Sequence, residues 1–273
     1  MEVRHATAPS EVPTLDTTGL RARFLVEDLF AGPGIRLTYS HHDRLVVGGV
    51  VVGDAPVDLP APAPLRASAF LDRRELGVVN VGTADAAVEV DGRSFSLAAR
   101  ECLYVGRGAR VVRFSGDGAR LYLVSTAAHA VHPTRRAALA DATPVKLGSV
   151  SGSNERTIYK YIHADGIRSC QLVLGVTVLA DGSMWNTMPC HTHDRRTEVY
   201  CYFDLPPEHR VVHLMGRPDE TRNLIVADGE AVISPPWSVH CGFGTHSYSF
   251  VWAMGGENQA YDDLEPVDVR DLR

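Results

Sequence analysis

Two histidines and a glutamate lie close together in the segment MPCHTHDRRTEVY, with the spacing His191-x-His193-x4-Glu198. In a β-strand, residues two positions apart point to the same face, so His191 and His193 would direct their imidazole rings toward one point. A short turn over residues 194–197 would bring Glu198 back toward that point. Such a set is typical of a metal site, but a polar loop that contains histidine would show the same spacing.

A further histidine, His240, follows in GEAVISPPWSVHCGFG, where the spacing is Gly229-x5-Pro235-x-Trp237-x2-His240. A proline turn and a strand with a single histidine are how a neighbouring antiparallel strand would supply a fourth ligand. Three neutral imidazoles and one carboxylate suit Zn, Mn, Fe, Co or Ni ions, and the ligand type alone does not choose among them.

The rest of the chain has to position these side chains, and its pattern favours an all-β fold. Short runs rich in β-branched and aromatic residues, such as RLVVGGVVV and EVYCYFDL, alternate with Gly, Pro, Asp and Asn turn signals. This frequency of short strands predicts a sandwich or barrel. The helical candidates are TLDTTGLRARFLVEDLF near the N-terminus and TRRAALADA at 134–142.

The chain also contains an internal repeat. The segment DRRELGVVNVG, which begins at Asp72, resembles DRRTEVYCYFDL, which begins at Asp194. The segment ECLYVGRGARVVRF from Glu101 aligns with EAVISPPWSVHCGF from Glu230. The order of the two pairs is the same in both halves, which predicts a duplicated β-fold.

The repeat divides the chain into two related domains. We predict a first domain over residues 1–130, a second over residues 156–273, and a connecting segment at 131–155 that is rich in Ala, Pro, Ser and Gly. A chain of 273 residues is long enough to bury a substantial core.

Only the second half carries the candidate ligands. At the positions of the three histidines, the first half has Ala69, Leu71 and Val111. Glu75 matches Glu198 if one residue is skipped. If the segment were only a polar loop, the restriction of the three histidines to one half would have no explanation. A metal site that is present in one copy and absent from the other explains it. The first half is therefore predicted to be a scaffold without a metal.

The composition excludes several classes of function. A net charge of −6 argues against a nucleic-acid partner held through its phosphates. The N-terminal segment lacks the apolar core of a secretory signal, and the longest apolar stretch, LVVGGVVVG, is too short to span a bilayer. Five cysteines without a CxxC pair suit reduced thiols. We expect a cytoplasmic protein with no nucleic-acid or membrane partner.

Both histidine motifs resemble those of the cupin superfamily, HxHx3-4E and Gx5PxGx2H. The first motif is complete here, whereas the second departs at Trp237, where glycine is usual, and at Gly244, where asparagine is frequent. Longer segments, from near residue 15 to the C-terminus, resemble the 5-keto-4-deoxyuronate isomerase family. They include TLDTTGLRARFLVEDLF, FLDRRELGVVNVG, WNTMPCHTHDRRTEVYCYF, MGRPDETRNLIV and VWAMGGENQAYDDLE.

This resemblance implies a bicupin, an all-β fold of two tandem β-barrel or jelly-roll domains with a few short helices. It implies that His191, His193, Glu198 and His240 bind one zinc ion per subunit, with Mn, Fe, Co or Ni not excluded, and that the subunits form a hexamer. The implied activity is that of a ketol-isomerase, an intramolecular oxidoreductase of pectin breakdown. An enzyme of this family would convert 5-dehydro-4-deoxy-D-glucuronate (4-deoxy-L-threo-5-hexosulose uronate) to 3-deoxy-D-glycero-2,5-hexodiulosonate through a metal-stabilised enediolate.

Such an isomerisation needs a group that moves a proton, and the substrate carboxylate needs a cation. The candidates for proton transfer are Glu198, Lys160 and Tyr200, which shares the strand parity of Glu198. The candidates for carboxylate binding are Arg195, Arg196 and Arg222, the arginines nearest in sequence to the ligand strands. A surface or interstrand ion pair explains each arginine equally well.

Other functions would use the same residues. A cupin dioxygenase holds redox-active iron or copper with three histidines and a glutamate, and a related isomerase would act on glucuronate or galacturonate. A non-catalytic sugar-binding or storage bicupin would not need an intact set of four ligands. Metal analysis together with oxygen uptake separates the dioxygenase from the isomerases.

Overall fold

Strands form nearly all of the regular structure in the computed structural model, which describes all 273 residues. The earlier strands are β1 (Glu2–Arg4), β2 (Leu25–Val26), β3 (Gly34–Ser40), β4 (Val46–Val51), β5 (Val57–Asp58), β6 (Arg74–Asn80), β7 (Ala86–Val90), β8 (Arg93–Leu97), β9 (Cys102–Val105), β10 (Val112–Ser115), β11 (Arg120–Ala127) and β12 (Arg135–Ala137). The later strands are β13 (Val145–Leu147), β14 (Arg156–Ile162), β15 (Val173–Leu179), β16 (Trp185–Asn186), β17 (His191–Thr192), β18 (Arg196–Phe203), β19 (Val211–Arg217), β20 (Glu220–Val226), β21 (Ala231–Ser234), β22 (Cys241–Gly244), β23 (Ser249–Gly256) and β24 (Glu265–Pro266).

Helices are few and short. The α-helix α1 spans Thr17–Phe24, and no helix is long and apolar enough to cross a membrane. Five 3-10 helices span Pro9–Thr14, Ala63–Leu65, Leu139–Asp141, Val150–Gly152 and Val269–Asp271. The predicted all-β class with a few short helices is confirmed.

Each half of the chain contributes a seven-stranded sheet and a four-stranded sheet. In the first half their orders are β1-β3-β4-β11-β6-β9-β12 and β5-β10-β7-β8. In the second half they are β13-β14-β15-β23-β18-β21-β2 and β16-β22-β19-β20. The orders correspond strand for strand, as expected for a duplicated fold, and β17 pairs separately with β24.

Three apolar cores hold these sheets together. One core fills the first-half sandwich and includes Leu76, Val88 and Phe114, and a second fills the other sandwich. The third core contains 25 buried residues, most of them from the two seven-stranded sheets, such as Val79 and Val199. The halves are therefore joined back to back by apolar packing, which is the dominant stabilising force in such a contact.

Two edge strands pair outside the predicted domain from which they come. The N-terminal strand β2 pairs with β21 of the second half, whereas β12, from the predicted connecting segment, pairs with β9 of the first half. The limits 1–130, 131–155 and 156–273 stay a prediction.

The helix predictions were correct at one place and wrong at the other. Near the N-terminus, α1 begins after Asp16, whose carboxylate accepts a hydrogen bond from the Gly19 N–H at 2.7 Å, a normal N-cap. The segment 134–142 is not an α-helix, because Arg135–Ala137 pairs with the free edge of β9 and only a short 3-10 turn follows. Pairing with an available strand edge outweighs the local helix propensity of the alanines.

The register corrects one match in the repeat. Leu76 pairs with Val105 in the first half, as Glu198 pairs with Ser234 in the second. Leu76, and not Glu75, therefore occupies the position of Glu198. A shift of one residue reverses the face of a strand, so Glu75 points away from the interior of its own sandwich.

Val111, the first-half counterpart of His240, is 45% exposed. We expect Val111→Ala to change the free energy of unfolding by less than about 0.5 kcal/mol, because little buried apolar surface is lost. Leu71→Ala is the matched comparison, since Leu71 is 1% exposed, and it should cost about 2–5 kcal/mol. Urea denaturation of both variants measures the difference, and equal losses would contradict the assigned exposure.

Candidate metal centre

Four side chains from separate places in the chain converge on one point. His191 lies in β17, Glu198 lies in β18, and His193 and His240 lie in the adjoining loops. Their potential ligand atoms all lie within 4.8 Å of one another. Three of these residues are buried, and His191 is partly exposed. The structure therefore brings together the four residues selected from the sequence motifs.

The contacts within the cluster are short. His191 Nε2 lies 3.1 Å from His193 Nε2 and 3.0 Å from His240 Nε2. The Glu198 Oε2 atom lies 2.9 Å from His193 Nε2 and 2.7 Å from His240 Nε2. Three imidazole nitrogens and one carboxylate oxygen thus face a common centre.

Backbone carbonyls fix the orientation of two of the rings. His193 Nδ1 lies 2.9 Å from the Asp263 carbonyl oxygen, and His240 Nδ1 lies 3.4 Å from that of Ser238. A carbonyl only accepts, so each Nδ1 carries the proton and each Nε2 presents a lone pair to the cluster. These lone pairs meet a carboxylate, which also only accepts. A cation at the centre satisfies all of these acceptors, so the donor set fits a divalent metal ion.

The protonation states agree with metal binding. Burial and the neighbouring His240 lower the pKa of His191 to about 2, so its imidazole is neutral near pH 7. Burial alone would raise the pKa of Glu198, but His240 and His193 outweigh burial and hold this pKa well below its usual range. Neutral imidazoles and an ionised carboxylate are the forms that coordinate metals.

A cleft of about 230 Å³ opens onto the cluster. His191, His193 and Glu198 form one side of it, and its walls are mostly apolar and aromatic. The wall residues include Ile158, Phe250, Trp252, Met254, Tyr261 and Leu264. A concave, largely apolar cleft with a few convergent polar groups is the usual form of a small-molecule site.

Comparison with known proteins identifies the family. The model of the KduI/IolB family matches residues 25–268. The chain belongs to this family. A 4-deoxy-L-threo-5-hexosulose-uronate ketol-isomerase from Kineococcus radiotolerans is 53% identical over 281 residues, with 100% of each chain covered. The enzyme of the same name from Halalkalibacterium halodurans is 50% identical over 277 residues, again with 100% of each chain covered.

Solved structures agree at the level of fold. An IolB-like protein from Salmonella typhimurium aligns with a TM-score of 0.73 at 14% identity, covering 90% of this chain and 97% of that one. Oxalate decarboxylase from Bacillus subtilis aligns with a TM-score of 0.54 at 11% identity, covering 81% and 71%. The predicted membership of the 5-keto-4-deoxyuronate isomerase family is confirmed by the family model and the full-length relatives.

The three candidates for proton transfer in this family member lie in different surroundings. Glu198 belongs to the cluster, and Tyr200 lines the same cleft, with its hydroxyl 2.9 Å from Thr187 Oγ1. Lys160 lies outside the cleft, and its Nζ stands 4.5 Å from the centre of the Tyr261 ring. Tyr261 lines the cleft, whereas Lys160 lines a different cavity together with Tyr161 and His163.

None of the three selected arginines lines the cleft. Arg195 forms ion pairs with Asp263 and Glu265, and Arg222 lies 3.0 Å from Glu220. Both side chains are partly exposed and already have acidic partners. The two acidic partners of Arg195 lie about 70 residues further along the chain, so the sequence could not reveal these pairs, whereas Glu220 is only two residues from Arg222.

Arg196 is fully buried and donates to the carbonyl oxygens of Ala260 and Asp263. Its first-half counterpart, Arg74, is also buried and donates to the carbonyl oxygens of Arg44 and Ser125. The same arrangement in the half that lacks the ligand histidines indicates that this arginine has a structural role in both copies.

One cleft residue was not selected from the sequence. Arg156, the first residue of β14, is the only arginine or lysine in the lining of the cleft. The available signal was strand periodicity, since Arg156 and Ile158 have the same parity and both line the cleft. Lys160, the residue predicted from the same run, has the same parity but does not line the cleft.

Proposed function

We propose that this chain is a 4-deoxy-L-threo-5-hexosulose-uronate ketol-isomerase. The observation that carries the proposal is full-length identity of 50–53% to relatives of that name, in a chain whose three-histidine, one-glutamate cluster opens into a cleft. The reaction moves a carbonyl from C1 to C2 of the sugar acid. C2 and its hydroxyl each lose a proton, and C1 and O1 each gain one, so in the intermediate negative charge develops on the oxygens of C1 and C2.

His191, His193, Glu198 and His240 would hold a divalent ion, which when bound supplies a Lewis acid for this developing charge. Burial raises the pKa of Tyr200 well above its ordinary value. Its hydroxyl therefore keeps its proton and is suited to donate a hydrogen bond to a substrate oxygen. Of the three candidates for moving the proton, Glu198 and Tyr200 line the cleft and Lys160 does not, which favours the first two by position.

Phe250 and Trp252 lie along the cleft wall and would exclude water from the reacting carbons. Trp252 is fixed in place, because its indole N–H donates to Thr177 Oγ1 at 3.1 Å. The Trp252 ring also lies directly against Gly175, where a Cβ would come within 2.2 Å of it. A larger residue at this position would displace the ring.

Proton NMR of the metal-loaded protein with 4-deoxy-L-threo-5-hexosulose uronate in D2O tests the proposal. We expect loss of the C1 proton signal of the substrate, appearance of the hydroxymethyl signal of the ketose, and incorporation of deuterium at that carbon. No oxygen should be consumed. Oxygen uptake without isomerisation would instead support a dioxygenase, and conversion of only glucuronate or galacturonate would support the related isomerase.

Several finer properties are proposed from the family resemblance alone. These are zinc as the bound metal, one ion per subunit, a hexameric assembly, a role in pectin degradation and a cytoplasmic location. We also keep the proposal that residues 1–130 form a domain without a metal. This is supported by the apolar Leu76 at the position of Glu198.

A further inference from the structure

The substrate class carries a negative charge at the end remote from the carbonyl that moves. The cleft contains one fixed positive charge that could meet it, the guanidinium of Arg156. All other residues of the cleft lining are uncharged except the cluster itself. An anion that enters beside Glu198 therefore has one cation available among the protein side chains.

Arg156 is free to bind an anion. Its side chain is partly buried and forms no ion pair, and its only acceptor is the Asn154 carbonyl oxygen, 2.9 Å from Nη1. The Nε and Nη2 groups of the guanidinium have no acceptor in the protein. They are the two parallel donors that a carboxylate accepts in a bidentate pair. By contrast, Arg195 and Arg222 already donate to carboxylates.

The surroundings favour such a pair. Ile158 lies on the same face of β14, and Trp252, Met254 and Phe250 complete an apolar wall. Apolar walls lower the local dielectric constant, so an ion pair is stronger here than at the protein surface.

We propose that Arg156 binds the substrate carboxylate, and that it makes the site specific for sugar acids over neutral sugars. The inference rests on the proposed isomerase function for the identity of the substrate. Arg156 holds the carboxylate end while the carbonyl end lies at the cluster, so it acts as a residue of specificity and orientation. Proton transfer is left to groups beside the cluster.

The test compares wild type with Arg156→Met and Arg156→Lys on two compounds. One is 4-deoxy-L-threo-5-hexosulose uronate, and the other is the same sugar with its carboxylate reduced to a primary alcohol. For Arg156→Met, kcat/KM on the acid should fall about 10- to 100-fold, mainly through KM, with no comparable loss on the alcohol. Arg156→Lys should give an intermediate loss, because a point charge replaces a planar pair of donors.

The control is Arg217→Met, which removes an exposed ion pair with Asp219 in the same half. It should leave the preference for the acid unchanged. Equilibrium binding of both compounds, followed by tryptophan fluorescence, provides a readout that does not depend on turnover. Circular dichroism verifies folding, and if Arg156→Met does not fold, Arg156→Lys and Arg156→Gln carry the comparison.

The outcomes separate the two proposals. Isomerisation by wild type with an unchanged preference for the acid in Arg156→Met would overturn the role of Arg156 and leave the isomerase function standing. No isomerisation, but selective binding of the acid that is lost in Arg156→Met, would overturn the function and support the carboxylate site. Equal binding of acid and alcohol by wild type would overturn the carboxylate site.

Discussion

Replacement of His240 by alanine should lower isomerase activity by about 1,000-fold or more. The substitution removes one of four metal ligands, and loss of the metal removes the main means of stabilising the charge that develops on the substrate oxygens. The substitution also takes away the nitrogen nearest to Glu198, 2.7 Å from Oε2. The fold should persist, since the second-half core consists of apolar side chains on the surrounding strands. We expect metal content and activity to fall together.

Elemental analysis of metal per chain, circular dichroism and turnover measure this result. His246→Ala is the matched control, because it removes an exposed imidazole from the same half without touching the cluster. Exhaustive chelation of wild type should have the same effect as His240→Ala, and zinc or manganese should restore activity. Two ions per native chain, or His240→Ala with full metal and turnover, would show that the site lies elsewhere.

The metal ligands could be found from the sequence because short-range geometry determines most of their arrangement. His191 and His193 are two positions apart, so an extended backbone directs them together, and Glu198 follows after one turn. His240 required one long-range assumption, namely that its strand lies near the first. The family motifs supplied that assumption, and the loop before β22 does place His240 against the other three.

The arginines could not be assigned in the same way, because a guanidinium takes whichever acceptor the fold brings near. Arg195 is next to the ligand motif in sequence, yet its partners are Asp263 and Glu265. Arg156 is far from the motif in sequence, yet it lines the cleft. Proximity in sequence therefore predicted the ligands of one short segment, but it failed for arginines whose partners are distant in sequence.

Strand pairing sets a similar limit on the fold prediction. The alternating pattern identified the strands, but which edge captures a short segment depends on the assembled sheets. Thus 135–137 became an edge strand although its sequence favoured a helix. The predicted match of Glu75 with Glu198 was likewise wrong by one residue, because the register became visible only in the paired strands. Glu75 therefore lies on the opposite face of β6 from the one that the match implied.

Glu75 is completely buried at the junction of the halves. Its two carboxylate oxygens accept five hydrogen bonds of 2.7–2.9 Å. The donors are the hydroxyls of Tyr104 and Thr126 and the backbone N–H groups of Cys170, Gln171 and Leu172. A side chain of the first half thus satisfies three consecutive N–H groups of the second, which positions the loop before β15.

Glu75→Ala should therefore reduce the free energy of unfolding by about 3–5 kcal/mol, because it leaves several buried donors without an acceptor. Glu75→Gln should also be destabilising, since each carboxylate oxygen accepts from at least one backbone N–H, which can only donate, and the amide NH2 would have to face one of them. Urea denaturation measures both losses, and Glu208→Ala, which removes a largely exposed carboxylate, is the control and should be nearly neutral. The amount of metal per folded chain should stay at the wild-type value, because neither Glu75 nor its hydrogen-bond donors belong to the cluster of four ligands. Loss of the metal with little change in stability would mean that Glu75 supports the metal site and does not join the two halves.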